Sequence, residues 1–137
     1  MTNSEKKDFT EILNKYHHFD DGLFLEFGFY YLAGTNLCAK ATFYARDYSQ
    51  SLNIWRKVTF ILEDVSDFKS RVIGGESNVI LSGVTIFQEE EFVCLDVDGT
   101  YSGSNRPSNI LEVKENGVCY IIAKRISFSE SEENPHL

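Results

Sequence analysis

Leu23-Phe24-Leu25-Glu26-Phe27-Gly28-Phe29-Tyr30-Tyr31, then Gly34-Thr35-Asn36, then Leu37-Cys38-Ala39-Lys40-Ala41-Thr42-Phe43-Tyr44-Ala45-Arg46, is the stretch that decides the fold. Its apolar residues recur every second position. In the first run Leu23, Leu25, Phe27, Phe29 and Tyr31 share one side. In the second, Leu37, Ala39, Ala41, Phe43 and Ala45 point one way and Lys40, Thr42, Tyr44 and Arg46 the other. A period of two is that of a half-buried strand, and a short polar turn between two such runs predicts a hairpin.

The same period continues downstream. A third strand is expected over about Ile54 to Val65, with Val58, Phe60 and Leu62 on one face, and a short fourth over Phe68 to Ile73 before Gly74-Gly75. Residues 79–87 and 92–97 read as two strands joined by Gln88-Glu89-Glu90-Glu91. Residues 109–114 and 118–128 read as two more around Asn116-Gly117, a strong hairpin dipeptide. Upstream the period changes. Phe9, Ile12, Leu13 and Tyr16 recur as on a helix, so one is predicted over 4–16, with Thr2 and Glu5 as a capping box. His17-His18-Phe19-Asp20-Asp21-Gly22 ends it.

The chain thus reads as a single domain over 1–137: the helix, a β-rich body over about 22–128, and a frayed tail over 129–137. The expected class is mainly β (α+β). Seven or eight mostly antiparallel strands would form a sandwich or partial barrel, since no helices intervene to make a parallel sheet. With 137 residues, 42% of them apolar, a core forms without disulfide or metal.

Thirteen Lys+Arg against 21 Asp+Glu give a net charge of -8. That balance speaks against nucleic acid as partner, because phosphates need a cationic face. The longest apolar stretch, Leu23 to Ala33, is broken by Glu26 and Gly28 and falls short of the ~18 residues a bilayer needs. No membrane association is expected. Cys38, Cys94 and Cys119 are odd in number and widely spaced, which fits free thiols in a reducing, cytoplasmic setting.

Candidate chemistry is sparse. Phe92-Val93-Cys94-Leu95-Asp96-Val97-Asp98-Gly99-Thr100 resembles the first motif of haloacid-dehalogenase-type phosphatases, in which the first Asp is the nucleophile and both assist Mg²⁺. That resemblance implies a magnesium-dependent phosphatase using Asp96 and Asp98. The doubly wound α/β context and the later acidic pair of that family are missing here. His17 and His18 diverge as chain neighbours, and no Gly-x-Ser-x-Gly elbow or phosphate loop is present. No catalytic residue, cofactor or metal is therefore expected.

Charge layout says more. Between Arg71 and Arg106 there is no Lys or Arg, while Glu76, Glu89, Glu90, Glu91, Asp96 and Asp98 fall there. Glu63, Asp64 and Asp67 form a second acidic group, Asp20 and Asp21 a third. Adjacent glutamates at a hairpin tip repel one another, and they suit a cationic partner. Tyr44, Tyr48 and Trp55 are candidate aromatic anchors beside them.

His18-Phe19-Asp20-Asp21 leading into a strand, Trp55-Arg56-Lys57-Val58-Thr59-Phe60 running into Asp64-Val65-Ser66-Asp67-Phe68, and the final strand Tyr120 to Phe128 resemble small β-rich bacterial proteins. Among these are cytoplasmic immunity proteins of polymorphic-toxin and contact-dependent growth-inhibition systems. The resemblance implies a non-enzymatic inhibitor, monomeric or weakly dimeric, that occludes a basic toxin domain. The expected partner-binding residues are Glu89, Glu90, Glu91, Asp64, Asp67, Asp20, Tyr48 and Trp55. The alternative is a small-ligand-binding β-barrel with a pocket lined by Phe27, Phe29, Phe43 and Phe60.

Overall fold

A computed structural model describes residues 9–70, 77–101 and 106–132. Helix α1 (Thr10–Lys15) and a 3-10 turn (His17–Phe19) precede strands β1 (Leu23–Tyr31), β2 (Leu37–Arg46), β3 (Trp55–Lys69), β4 (Val84–Glu89) and β5 (Phe92–Val97). Helix α2 (Ile110–Asn116) and strand β6 (Tyr120–Ser131) follow. One six-stranded sheet runs β1-β2-β3-β6-β5-β4, and every pairing in it is antiparallel. The mainly β, α+β class holds. Among the described residues the strands number six rather than seven or eight.

The long strands β3 and β6 explain the curl. Their outer halves pair as Lys57↔Ser131 through Glu63↔Arg125, and β2 and β1 extend that half. Their other halves pair as Val65↔Ala123 through Lys69↔Tyr120, and β5 and β4 extend that one. A register shift between Val65 and Asp67 lies where the halves meet, and Asp64 has φ 57°. A bulge of this kind bends a strand and strengthens its twist. The two halves then enclose one core. Ala39, Ala41, Phe43, Val58, Phe60 and Leu62 belong to the same cluster as Ile86, Val93, Leu95, Ile121 and Ala123, and α1 adds Ile12 and Leu13. The strand leading to β4 also ties to β1: Leu23 bridges Val79, and the Phe24 N–H donates to the Asn78 carbonyl at 2.9 Å. The sheet is therefore open in order but nearly closed in space, as a partial barrel is.

Several local expectations are corrected. Residues 109–114 are not a strand, and Asn116-Gly117 is not a hairpin turn: the chain is helical over Ile110–Asn116 and Gly117 ends the helix. The cause is local. Asn109 caps the helix by accepting from the Glu112 N–H at 2.9 Å, and Glu112 reaches back to accept from the Ser108 N–H at 2.7 Å. That reciprocal pattern is a strong helix start. The helix buries Val113 against Cys94, Tyr101, Tyr120 and Ile122, a second cluster on the outer face of β5 and β6.

The third strand runs on to Lys69, so Phe68 belongs to it; residues 71–76 lie outside the described residues. Residues 79–83 are not strand but lead into β4 at Val84. The tail begins later than expected, because Ser129, Glu130 and Ser131 pair with β3. In β1 a register shift between Phe24 and Glu26 turns Phe24 rather than Leu25 into the apolar cluster, beside Phe27 and Phe29. The Thr2–Glu5 capping box lies outside the described residues.

Candidate functional site

The β4–β5 hairpin pairs Val84↔Val97 through Glu89↔Phe92, which leaves Glu90 and Glu91 as the turn. Both are exposed, and neither forms an ion pair among the described residues. Glu90 sits at φ 55°, a conformation that costs an L side chain about 1 kcal/mol and that Gly or Asn adopts more readily. Glu89 is held differently. Its carboxylate accepts the Ile110 N–H at 3.3 Å, which fixes the hairpin to the start of α2. Leu111, the next residue of that helix, is 65% exposed. The sequence reading missed Leu111 because it placed 109–114 in a strand, where the capping residues Asn109 and Glu112 were the signal available.

The second acidic group is near but largely neutralised. Val93 pairs with Ala123; two residues further along each strand come Glu91 and Arg125. Arg125 bonds Asp64 at 2.7 Å and Glu63 at 3.7 Å, so Glu63 and Asp64 adjoin the same stretch of β6 as the hairpin turn. Asp67 pairs with Lys114 of α2 at 3.7 Å and accepts the Phe68 N–H. These are surface pairs and contribute little stability, but they cancel charge.

Asp20, Tyr48 and Trp55 belong elsewhere, which corrects the expectation of aromatic anchors beside the glutamates. Trp55 opens β3, eight residues from Glu63, or roughly 25 Å of extended strand. Its ring lies 5.4 Å from Tyr44, and its Nε1–H donates to Asn53. Tyr48 stacks on His17 with centroids 3.6 Å apart, and Arg46 sits 5.1 Å from the same ring. Asp20 is exposed beyond the 3-10 turn, next to Asp21 with φ 64°. The eight expected residues therefore split into two surfaces.

The alternatives fare as follows. Asp96 is buried and accepts the Tyr101 hydroxyl at 2.7 Å, whereas Asp98 accepts the N–H groups of Leu81 and Ser82 at 2.9 and 2.6 Å. Each carboxylate is engaged in holding a loop. Burial pushes the Asp96 pKa up to about 6 against the opposing hydrogen bonds from Tyr101 and Gly99, and burial also raises the Cys94 thiol. His18 is lowered by burial and by Arg106, and its Nδ1 lies 3.2 Å from the Val84 carbonyl. Among the described residues no group of three or more His, Cys, Asp or Glu is placed to hold a metal. The expected phenylalanine pocket is filled: Phe43 and Phe60 are fully buried with ring centroids 5.9 Å apart, and Phe27 meets Phe29 at 5.3 Å. A groove of about 550 Å³ lies instead between α1 and β6, lined by Phe9, Ile12, Lys15, Ile126, Phe128 and Glu130. No helix among the described residues is long and apolar enough to cross a membrane.

Comparison of the chain with protein-family models, with curated proteins and with solved structures gives no match.

Proposed function

We propose that the protein is a non-enzymatic immunity or inhibitor protein of the bacterial cytoplasm, which binds a basic toxin domain and occludes it with an acidic surface centred on Glu90 and Glu91. The observation that carries this reading is the turn itself. Two adjacent carboxylates without ion-pair partners among the described residues are displayed on a short hairpin pinned to α2 through Glu89, and Glu90 occupies a backbone conformation its side chain disfavours. Strain retained at an exposed charge is a pointer to function rather than to stability. A toxin that cleaves nucleic acid needs a cationic groove for phosphates, and such a groove attracts this turn. Charge of this kind supplies speed and specificity, while affinity needs a desolvated apolar contact, for which Leu111, exposed in the first turn of the helix that Glu89 bonds, is the candidate.

The test is a titration against the purified C-terminal domain encoded immediately upstream, at low and at high salt. A tight complex that weakens with salt supports the proposal. A folded partner that does not bind, or binds with no salt dependence, overturns it.

A further inference from the structure

Between α1 and β1 the chain turns against the preference of L-residues. His17, His18 and Phe19 follow one another at φ 49°, 56° and 59°, and Asp21 has φ 64°. Non-glycine residues adopt left-handed backbone singly rather than in runs, and each one costs free energy. Strain of this kind persists only where the surroundings fix it, and it gathers in switch segments.

Three side chains fix this turn. Phe19 is fully buried, with ring centroids 5.1 Å from both Tyr16 and Phe43. His17 stacks on Tyr48, and Arg46 sits against the same Tyr48 ring. His18 reaches β4, where its Nδ1 lies 3.2 Å from the Val84 carbonyl. A carbonyl only accepts, so Nδ1 carries the proton and Nε2 is the nitrogen left to protonate.

The setting of His18 favours the neutral ring. It is half-buried, and the charges acting on it are Arg106, from the segment before α2, with His17 and Asp20 of its own turn. Arg106 is held close. It donates to the Ser82 carbonyl at 2.9 Å, and a Cβ on Gly83 would stand 2.9 Å from its Nη1 and 3.2 Å from the His18 carbonyl. Other nearby charges are engaged: Asp98 with the Leu81 and Ser82 N–H groups, Lys15 of α1 with Asp47 and Glu130. Burial and Arg106 hold the His18 pKa below the ordinary 6.5, and Asp20, which opposes them, is outweighed.

We infer that this left-handed turn is a pH-sensitive latch, which neutral His18 holds against β4 and which protonation of His18 releases. A second proton sets an imidazolium beside Arg106 at a half-buried position, with no described carboxylate bonded to the ring. Once the ring leaves Val84, residues 17–19 relax toward the right-handed backbone that L-residues prefer. The closed latch binds the proton less well than the open one, so it is firm above pH 6.5 and weakens as pH falls through that value. The inference does not depend on the acidic hairpin.

The experiment is amide hydrogen exchange of the whole protein at pH 5 and pH 7, each rate divided by its unstructured-chain rate, on wild type, His18→Gln and His17→Gln. The reporters are the N–H groups of Phe19, Asp20 and Gly22, which donate to the Tyr16, His17 and Phe19 carbonyls. Buried Phe60 and Leu62 of β3 are the reference for global opening. In wild type the reporters open at least about fivefold more at pH 5 than at pH 7 relative to that reference, under a ceiling of about thirtyfold for an ordinary imidazole in the open state. His18→Gln keeps a donor for Val84 but cannot titrate, so it loses the dependence, whereas His17→Gln retains it. Reporters that ignore pH, or that move only with the reference, overturn the inference. So does a dependence that survives in His18→Gln or vanishes in His17→Gln. Should His18→Gln not fold, the His18 ring titration in wild type decides: a midpoint below 6.5 that tracks the opening supports the latch, and one at or above 6.5 overturns it.

Discussion

Asp47 and Arg56 close the loop between β2 and β3: Arg56 Nε donates to Asp47 Oδ2 at 2.9 Å, and the carboxylate is fully buried. The Ser49 N–H bonds the same carboxylate, and Lys15 of α1 lies 3.9 Å from it. Lys15 also bonds Glu130 of β6 at 2.9 Å, and Glu130 accepts from the Tyr16 hydroxyl. One polar network thus joins α1, the β2–β3 loop and the end of β6, beside the core that Tyr16 helps to fill.

Removing the carboxylate leaves the Arg56 Nε–H and the Ser49 amide without the acceptor they share. Asp47→Ala is expected to cost on the order of 2–3 kcal/mol, read from urea unfolding at neutral pH. Burial alone would raise the Asp47 pKa, but hydrogen bonds from Ser49 and Arg56 outweigh it and hold it below the ordinary value. Its contribution is therefore present above the unfolded pKa near 4 and fades as pH falls through the lower folded value. An unfolding midpoint in Asp47→Ala equal to wild type at pH 7 would refute this role.

Asp96 has the opposite sign. Its pKa is raised to about 6 in the fold, so the folded state favours the neutral acid. The stability it confers is present below about pH 4 and is lost as pH rises to about 6. Asp96→Asn keeps an acceptor for the Tyr101 hydroxyl and abolishes the titration. It should flatten the stability slope between those pH values. A slope that persists unchanged in the variant would place its origin elsewhere.

Glu90→Gly relieves the left-handed strain and one like-charge contact. It should raise stability by about 0.5–1 kcal/mol in thermal unfolding. Under the proposed function the same substitution weakens partner binding and lowers its salt dependence, and Glu90→Lys with Glu91→Lys weakens it further. Isothermal titration at two salt concentrations reads both effects.

Gly117→Ala tests the helix in place of the expected hairpin. A Cβ there meets the Val113 carbonyl at 2.6 Å and Tyr120 Cδ2 at 2.9 Å. The cost is expected at about 1–3 kcal/mol, the range for overpacking. A neutral result in denaturant unfolding would argue against this packing at the end of α2.

Trp55, the single tryptophan, reports which surface a partner covers. Because it lies far along β3 from Glu63 and the hairpin, partner binding at Glu90 and Glu91 should leave its fluorescence emission unchanged. A marked shift on binding would move the interface to the β2–β3 end.

Much of this fold is legible residue by residue. Ala39, Ala41, Phe43 and Ala45 alternate inward as the period of two requires, and Val58, Phe60 and Leu62 do the same. The hairpin at Gln88–Glu91 and the helical face of Phe9, Ile12, Leu13 and Tyr16 also read correctly. Residues 109–116 do not, because apolar Leu111 and Val113 alternate with charged Glu112 and Lys114 as a strand would and Asn116-Gly117 adds a turn signal. There the capping pair Asn109 and Glu112, with burial of Val113, outweighs the period.

For the candidate site, the sequence by itself determined that the chain is acidic, that its glutamates crowd a turn, and that its strands are amphipathic. These properties are local, since they follow from residue type and from the geometry of neighbouring residues. Only the tertiary structure decided which acids keep their charge. Arg125 and Lys114 reach Glu63, Asp64 and Asp67 through pairings of β3 with β6 and α2, while no described cation reaches Glu90 or Glu91. It also decided that Tyr48 and Trp55 stand apart from those glutamates, and that Glu89 bonds the start of α2. Such placements depend on register between residues far apart in the chain, which burial of the shared core fixes and no short stretch of sequence encodes.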